Sequence, residues 1–299
     1  MVAPLPDITL ASPHPPPLPS LVNARRLRTQ RLGRALRLWV PVGVLILILA
    51  FCFLLPLVVT LPSPTKGDII YNNEPPFSPG HLLGTDVQGV DIFAQLVYGG
   101  QVAFEVGLSV TAIGIAIGGT LGVIAAYFGG WVDAVISRVF DILIAFPALV
   151  LALVIAEGLG PSELHLIWAL SVFSVPAFGR IARGATLTIR GLPFMTAARL
   201  AGTRRWRVIT RHVVPNIMPN IVTFSLLGLG IIIILEGALD FLGYGIPAPT
   251  PSWGNMIANG QQILSVQPEY VLIPSIALLI TVAALNMLGD ALRERWGTQ

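Results

Sequence analysis

The chain has 299 residues, of which 54% are hydrophobic and only 11% are charged, and its formal net charge is +3 at pH 7. Soluble domains carry about 25% charged residues, so this composition, with a mean hydropathy of +0.79, excludes a soluble protein and indicates one integral membrane domain. The single cysteine, Cys52, has no partner for a disulfide and argues against a metal–thiolate site.

The first segment has too few large apolar side chains to bury a core. Residues 1–24 include the run Pro15-Pro16-Pro17, and the basic stretch RRLRTQRLGRALR follows at 25–37. We therefore predict that residues 1–37 form a disordered, proline-rich and basic cytoplasmic tail. The apolar run at 38–61 is longer than the roughly 7–15 residues of a signal-peptide core, so it is predicted to be an uncleaved first transmembrane helix.

Five more runs are long enough to cross a hydrocarbon core about 30 Å thick, which takes about 20 apolar residues. The segment 62–101 is predicted to be an extracytoplasmic loop with an amphipathic helix, which Asp86 would cap. The span that contains Pro176 is the weakest, because the proline interrupts it and Arg180 crowds its end. The five runs lie at about 102–127, 135–157, 163–182, 217–241 and 270–290.

The distribution of basic residues indicates both the orientation and the number of spans. Six spans with the amino terminus in the cytoplasm place every lysine and arginine except Lys66 on the cytoplasmic side. Such an excess follows the positive-inside rule. An odd number of spans would move Arg293 and Arg295 to the outside, so the distribution favours six.

Three glycines lie at intervals of four residues in the second predicted span: Gly114, Gly118 and Gly122. Glycines at this spacing line one face of a helix and allow another backbone to approach closely. Two interpretations stay open, since either a helix of the same chain or a membrane-spanning partner subunit can pack against this face.

The segment 195–220 carries five arginines and no acidic residue. Each arginine at the centre of a membrane helix costs about 2.5–3.5 kcal/mol, or about 12–17 kcal/mol for five, so the segment is predicted to stay in the cytoplasm. Pro193 suits the first turn of a short helix, Gly202 would end it, and Thr203 would cap a second helix that ends at Pro215.

The small residues of the first helix would allow another protein to approach closely; they are Ala197, Ala198, Ala201 and Gly202. An alternative is an interfacial amphipathic segment whose arginines bind lipid phosphates. Lipid contact favours Leu, Phe and Trp over Ala and Gly, so the row of small residues favours a protein partner.

The same segment resembles the cytoplasmic signature of binding-protein-dependent ABC importer permeases, E-A-A, three residues, G, nine residues, then H-x-x-P-N. The spacing is intact here, but Thr196 stands where the family has glutamate. What the resemblance implies is that this segment contacts an ATPase partner through coupling helices at 193–215. The residues that would make this contact are Thr196, Ala197, Ala198, Arg199, Gly202, His212, Pro215 and Asn216.

The resemblance extends over most of residues 82–296. The stretches 82–110, 127–147, 236–256 and 285–296 are similar to the C-type permease subunit of dipeptide and oligopeptide importers, although Val90 replaces a common arginine. The family implies an all-α membrane protein, the type I ABC importer permease fold. It would have six transmembrane helices and a cytoplasmic coupling-helix hairpin, with five of the helices in a core permease domain at 102–296.

The resemblance also implies an assembly, because the chain has no G-x-x-x-x-G-K-[ST] phosphate loop with which to hydrolyse ATP. We expect a second homologous permease subunit, two cytoplasmic ABC ATPase subunits that carry the ATP and magnesium, and an extracytoplasmic peptide-binding protein. We expect no cofactor on this chain, no nucleic acid, and a multi-pass location in a prokaryotic inner (plasma) membrane with both termini cytoplasmic. The alternatives are a permease for nickel or another small solute, a self-sufficient secondary transporter, and a membrane scaffold.

Ionisable residues inside membrane segments are functional candidates by default. We therefore expect contact with substrate or with the binding protein at Glu105, Glu236 and Asp240. Trp253 is a further candidate, because it lies in the predicted outer loop before the last span, where it could meet the binding protein. Arg138 and Asp141 are predicted to form a local ion pair, because they lie three residues apart on one helix. The isolated histidines, His165 and His212, make a metal site improbable.

Overall fold

The computed structural model describes residues 36–297. The proline-rich tail predicted for residues 1–24, and all of the basic stretch except its last two residues, lie outside the described residues. The described chain is helical, and its α-helices are α1 Leu36–Val58, α2 Ile92–Phe128, α3 Gly130–Ile144, α4 Ala148–Leu159, α5 Glu163–Arg190, α6 Pro193–Leu200, α7 Arg205–Phe241, α8 Trp253–Gly260 and α9 Glu269–Trp296.

Five of these helices, α1, α2, α5, α7 and α9, are long and apolar enough to cross a membrane. The span predicted at 135–157 is instead two helices, α3 and α4, bent by 85° at a short break, and this pair brings the number of spans to six if it counts as one. The break lies at Pro147, whose ψ of 128° is extended. Proline has no N–H for the helix and disfavours the helical conformation of the residue before it, so this position favours a break between α3 and α4.

The second crossing helix, α2, is longer than predicted. The separate amphipathic helix expected in the preceding loop is the first part of α2. Asp91 caps α2 by accepting a hydrogen bond from the Ala94 N–H at 2.7 Å. The prediction that Asp86 caps this helix is wrong. Asp86 lies in the preceding turn, where its Oδ1 accepts from the N–H groups of Gln88 and Val90, both at 2.8 Å.

A hydrogen bond at a proline-induced turn connects α1 to α2. Pro56 has no N–H to donate to the carbonyl of Cys52 four residues earlier, and the backbone widens there into a π-helical turn at Ala50–Leu54. Gln101 of α2 donates its side-chain N–H to this carbonyl at 2.6 Å. The Cys52 side chain is fully buried, so it has a packing role.

The three glycines of α2 face α5 of the same chain. A Cβ atom added at Gly118 would collide with the carbonyl oxygen of Val175, and one added at Gly122 would collide with that of Gly179. Gly114 lies against the side chains of Ser174 and Phe178. Packing within the chain is therefore the interpretation that the structure shows, and this face is not open to a second permease because α5 already covers it.

Candidate functional site

The elbow, which we define as residues 193–216, contains α6, a tight turn and the start of α7. Pro193 occupies the first turn of α6, as the sequence predicts. The helix ends in a Schellman motif, in which the Thr203 N–H donates to the Ala198 carbonyl at 3.2 Å and the Gly202 N–H donates to the Arg199 carbonyl at 3.0 Å. This motif needs a left-handed residue after the helix, and Gly202, with φ of +69°, supplies it.

The second half of the elbow differs from the sequence prediction. Thr203 does not cap a helix, because α7 begins at Arg205 and the residue before it makes no side-chain cap. Pro215 does not end a helix either, because a π-helical turn at Ile209–Val213 precedes it and accommodates its missing N–H. Asn216 donates its side-chain N–H to the His212 carbonyl at 2.7 Å, so a carbonyl at this wide turn is paired.

The second half of the elbow, from Arg205 onward, and the long crossing helix are consequently one continuous helix of 37 residues, to which the turn at Gly202 joins α6. A displacement of this second half therefore displaces the rest of α7 directly, without a flexible joint between them. This continuity is the main mechanical property of the site.

Buried side chains hold the elbow against the membrane helices. Met195 of α6 is fully buried, and it packs in a cluster with Val208 and Val213 of α7 and with Val123 and Ala182 of the crossing helices. The anchoring role of Met195 was not predicted from the sequence, because the row of small residues indicates only the exposed face of α6. The signal was present in the pair of apolar positions 195 and 198, which lie three residues apart.

Arginines tie the elbow to the adjoining end of α2. Arg190 donates to the Ala126 carbonyl at 2.9 Å, and Arg199 donates to the Arg190 carbonyl at 3.3 Å. The guanidinium of Arg199 lies 5.8 Å from the centre of the Tyr127 ring, and that of Arg205 lies 5.9 Å from the Phe128 ring. These cation–π contacts orient two of the elbow's arginines around an open cavity of about 460 Å³, which Gly202 and Thr203 also line.

Most of the residues predicted to contact an ATPase partner are exposed on the elbow. Thr196, Ala197, Gly202, Pro215 and Asn216 are exposed, as is Arg199, whereas Ala198 and His212 are half-buried. The His212 ring lies 6.4 Å from that of Phe194, so it braces α6 against α7. Large apolar side chains share this surface, since Leu200 is 85% exposed and Trp206 is 69% exposed. A basic surface with exposed apolar anchors and small residues suits a protein partner.

A model of the family described as binding-protein-dependent transport system inner membrane component matches residues 118–296, which include the whole elbow. The chain belongs to this family. It is therefore a membrane permease subunit that works with other components of an ABC importer, and the resemblance seen in the sequence is confirmed.

Two relatives and one solved structure illustrate the match. The dipeptide transport system permease protein DppC of Alkalihalophilus pseudofirmus is 40% identical over 214 residues, which cover 72% of this chain and 70% of that protein. The glutathione transport system permease protein GsiD of Pectobacterium atrosepticum is 34% identical over 270 residues, which cover 90% of this chain and 88% of that protein. A structure of the inward-facing MetNI methionine ABC transporter superposes with a TM-score of 0.56 at 19% identity, covering 67% of this chain and 95% of that chain. The last likeness concerns the fold, and it confirms the all-α permease architecture.

At the end of the permease opposite the elbow, the residues expected to contact substrate are mostly inside the chain. Trp253 is 2% exposed, packs against Gly99 and Gly100 of α2, and donates its ring N–H to the Leu96 carbonyl at 2.9 Å. Trp253 therefore cannot meet a binding protein in this conformation, because α2 covers it.

The acidic candidates divide into a buried pair and an exposed residue. Glu236 and Asp240 are each 1% exposed, and Asp240 accepts a hydrogen bond from the Ile246 N–H at 2.7 Å. Asp240 therefore holds the loop that follows α7, and a contact with substrate would require this loop to open. Glu105 is exposed, so its predicted contact stays a prediction. Among residues 36–297, no three His, Cys, Asp or Glu side chains are grouped so that they can hold a metal ion.

Ion pairs connect the bent pair of helices to α5. Asp141 pairs with Arg180 at 2.6 Å, so the prediction that it pairs with Arg138 is wrong. Asp133 binds Arg183 through two parallel hydrogen bonds of 2.5 and 2.7 Å. Sequence analysis missed this pair because its partners lie 50 residues apart. Its geometry is the bidentate arrangement that gives arginine–carboxylate pairs their directionality.

Proposed function

We propose that this permease forms, with a second related permease, the membrane path of an ABC importer for short peptides. Relatives named for dipeptide and glutathione transport support the class of cargo, since both cargoes contain peptide bonds. The main support for the proposal is the elbow. Its surface is exposed, buried side chains anchor it, and its second half is continuous with a crossing helix. Its sequence keeps the spacing of the family's cytoplasmic signature.

The elbow would contact one of two cytoplasmic ATPase subunits, which would carry the ATP and magnesium while this chain carries neither. A helix of 37 residues is about 55 Å long at 1.5 Å per residue, so a rotation of roughly 10° at one end displaces the other by roughly 10 Å. Closure of the ATPases on ATP would move the elbow, and α7 would transmit that movement to the loop held by Asp240.

The distribution of basic residues supports the orientation. All described arginines lie in segments that six alternating spans place on the elbow side, so we infer that the elbow and both termini face the cytoplasm of a prokaryotic cell. Segment 62–91 and the loop between α7 and α9 would then face outward, where a peptide-binding protein would deliver the cargo.

The test is purification of the permease from its native membrane, followed by uptake assays in liposomes. We expect a second permease and ATPase subunits to accompany it, and we expect ATP-dependent accumulation of dipeptides supplied with the binding protein. Accumulation of nickel without peptides would contradict the proposed cargo. Uphill transport by the purified chain alone would contradict the proposed dependence on separate ATPases.

A further inference from the structure

A polar cavity of about 330 Å³ lies between α5, α7 and α9, in the parts of these helices nearest the elbow. It is distinct from the elbow surface and from the buried acidic residues at the opposite end. Its polar lining consists of Arg180 and Thr188 of α5, Asn220 and Thr223 of α7, and Arg293 of α9. Ligand sites have volumes of about 300–1,000 Å³, so this cavity accommodates a small molecule or one end of a longer one.

Two polar side chains in the cavity wall lack partners among the described residues. Thr223 is 5% exposed, and neither its hydroxyl oxygen nor the amide oxygen of Asn220 makes a hydrogen bond with another described group. Leaving a buried polar atom unpaired costs about 1–3 kcal/mol, and a ligand that pairs with it recovers this cost. The two groups lie one turn apart on α7, so a single ligand can reach both.

The charged groups of the cavity are both guanidinium groups. Arg180 donates one N–H to Asp141 on the side of α3, and a guanidinium has five N–H donors in a planar fork. Such a fork matches a carboxylate, which it can bind through two parallel hydrogen bonds. The cavity therefore favours an anionic group of carboxylate geometry.

We propose that this cavity binds the carboxylate end of the cargo as it passes through the permease. Arg180 and Arg293 would bind the carboxylate oxygens, the Thr223 hydroxyl would donate a further hydrogen bond, and Asn220 would accept one from an N–H of the ligand. This inference rests on the proposed function, since every unmodified linear peptide has a terminal carboxylate.

Gly184 makes the cavity accessible to a chemical test. It lines the cavity in the last third of α5, and a Cβ added there meets no atom within 4 Å. A Gly184→Cys variant places a thiol in the cavity without a clash, and the native Cys52 is fully buried and does not compete. In the assembled complex we would measure its modification by an anionic and a cationic methanethiosulfonate reagent, each normalised to a free thiol in solution.

The expected result is severalfold faster modification by the anionic reagent, because Arg180 and Arg293 line the cavity and Asp141 neutralises only part of their charge. Gly158→Cys is the matched control, since it lies in open space at the end of α4 beside Glu157, and it is expected not to favour the anion. Arg180→Gln, introduced into the Gly184→Cys variant, should reduce the selectivity. Equal rates for the two reagents at position 184 would overturn the proposal.

Protection by ligand tests the carboxylate itself. Dialanine should slow the anionic modification of Gly184→Cys, whereas dialanine amide should not, and Thr223→Val should weaken the protection about fivefold. Equal protection by the acid and the amide would overturn the carboxylate assignment. These measurements use the resting complex, so they are decided separately from peptide uptake, whose absence would refute the proposed function instead.

Discussion

The turn of the elbow offers a sharp test of how movement reaches the membrane. Gly202 is left-handed with φ of +69° and faces open space, so a Gly202→Trp variant places a large side chain on the exposed surface without a clash inside the chain. The left-handed conformation costs a residue other than glycine roughly 1–2 kcal/mol, which a well-packed membrane domain tolerates. The main consequence is therefore steric, at the surface where the ATPase would lie.

We expect the Gly202→Trp protein to insert and assemble, but to lose most of its ATP-driven peptide uptake while ATP hydrolysis continues. Uptake should fall more than tenfold relative to ATPase activity, since about 1.4 kcal/mol of lost coupling already corresponds to tenfold. The assay measures both rates in the same reconstituted vesicles. Proportionate retention of both rates would refute the reasoning.

Two controls separate bulk from backbone strain. Gly202→Ala has the same left-handed cost without the bulk, so it should keep uptake within about threefold. Gly160→Trp repeats the substitution in the turn after α4, away from the elbow and from the loop that follows α7, where φ is +82° and the added Cβ again meets open space. If Gly160→Trp uncouples the complex as strongly as Gly202→Trp does, the effect does not depend on the elbow.

Two further predictions concern the packing that positions the elbow. Asp133→Asn should lower the free energy of unfolding of the detergent-solubilised permease by roughly 1–2 kcal/mol, because it breaks a bidentate pair with Arg183. Asp141→Asn breaks a more exposed pair and should change the same free energy by less than about 0.5 kcal/mol. Thermal unfolding of the two variants compares these effects. Gly118→Ala should reduce the yield of folded protein, because its Cβ collides with the backbone of α5. Gly43→Ala, on α1, should not reduce the yield, because the added Cβ meets open space. Size-exclusion chromatography measures both yields, and a lower yield for Gly43→Ala than for Gly118→Ala would contradict the assigned packing.

The crossing helices could be predicted from the sequence because a membrane leaves few choices for a long apolar run. Backbone groups in lipid must be paired within the segment, so apolar length alone indicates a helix. The run at 135–157 has the right composition, yet Pro147 bends it by 85°, and whether such a bend forms depends on what the two halves pack against.

The elbow was only partly predictable for a related reason. Gly202 and Pro193 act locally, through left-handed geometry and a missing N–H, and their effects are visible in the sequence. Pro215 acts through the wide turn before it, which allows a helix to continue where a proline usually ends one. That outcome depends on the burial of Val208 and Val213 against other helices, and sequence periodicity does not reveal it.

The burial of Trp253, at the opposite end of the permease, could not be predicted from the sequence either. Its position in an outer loop suggested exposure, but two adjacent glycines of α2 create space for its ring. This contact joins residues more than 150 positions apart in the chain, so only the folded structure brings them together.

Photo-cross-linking from the elbow tests the central claim most directly. A benzoylphenylalanine at position 200, where the native leucine is 85% exposed, would be irradiated in membranes that contain the complete importer, with position 242 at the far end of α7 as the control. The account predicts a covalent product with an ATPase subunit from position 200 and not from position 242. Cross-links from position 200 to lipid alone, or an ATPase product from position 242, would contradict it.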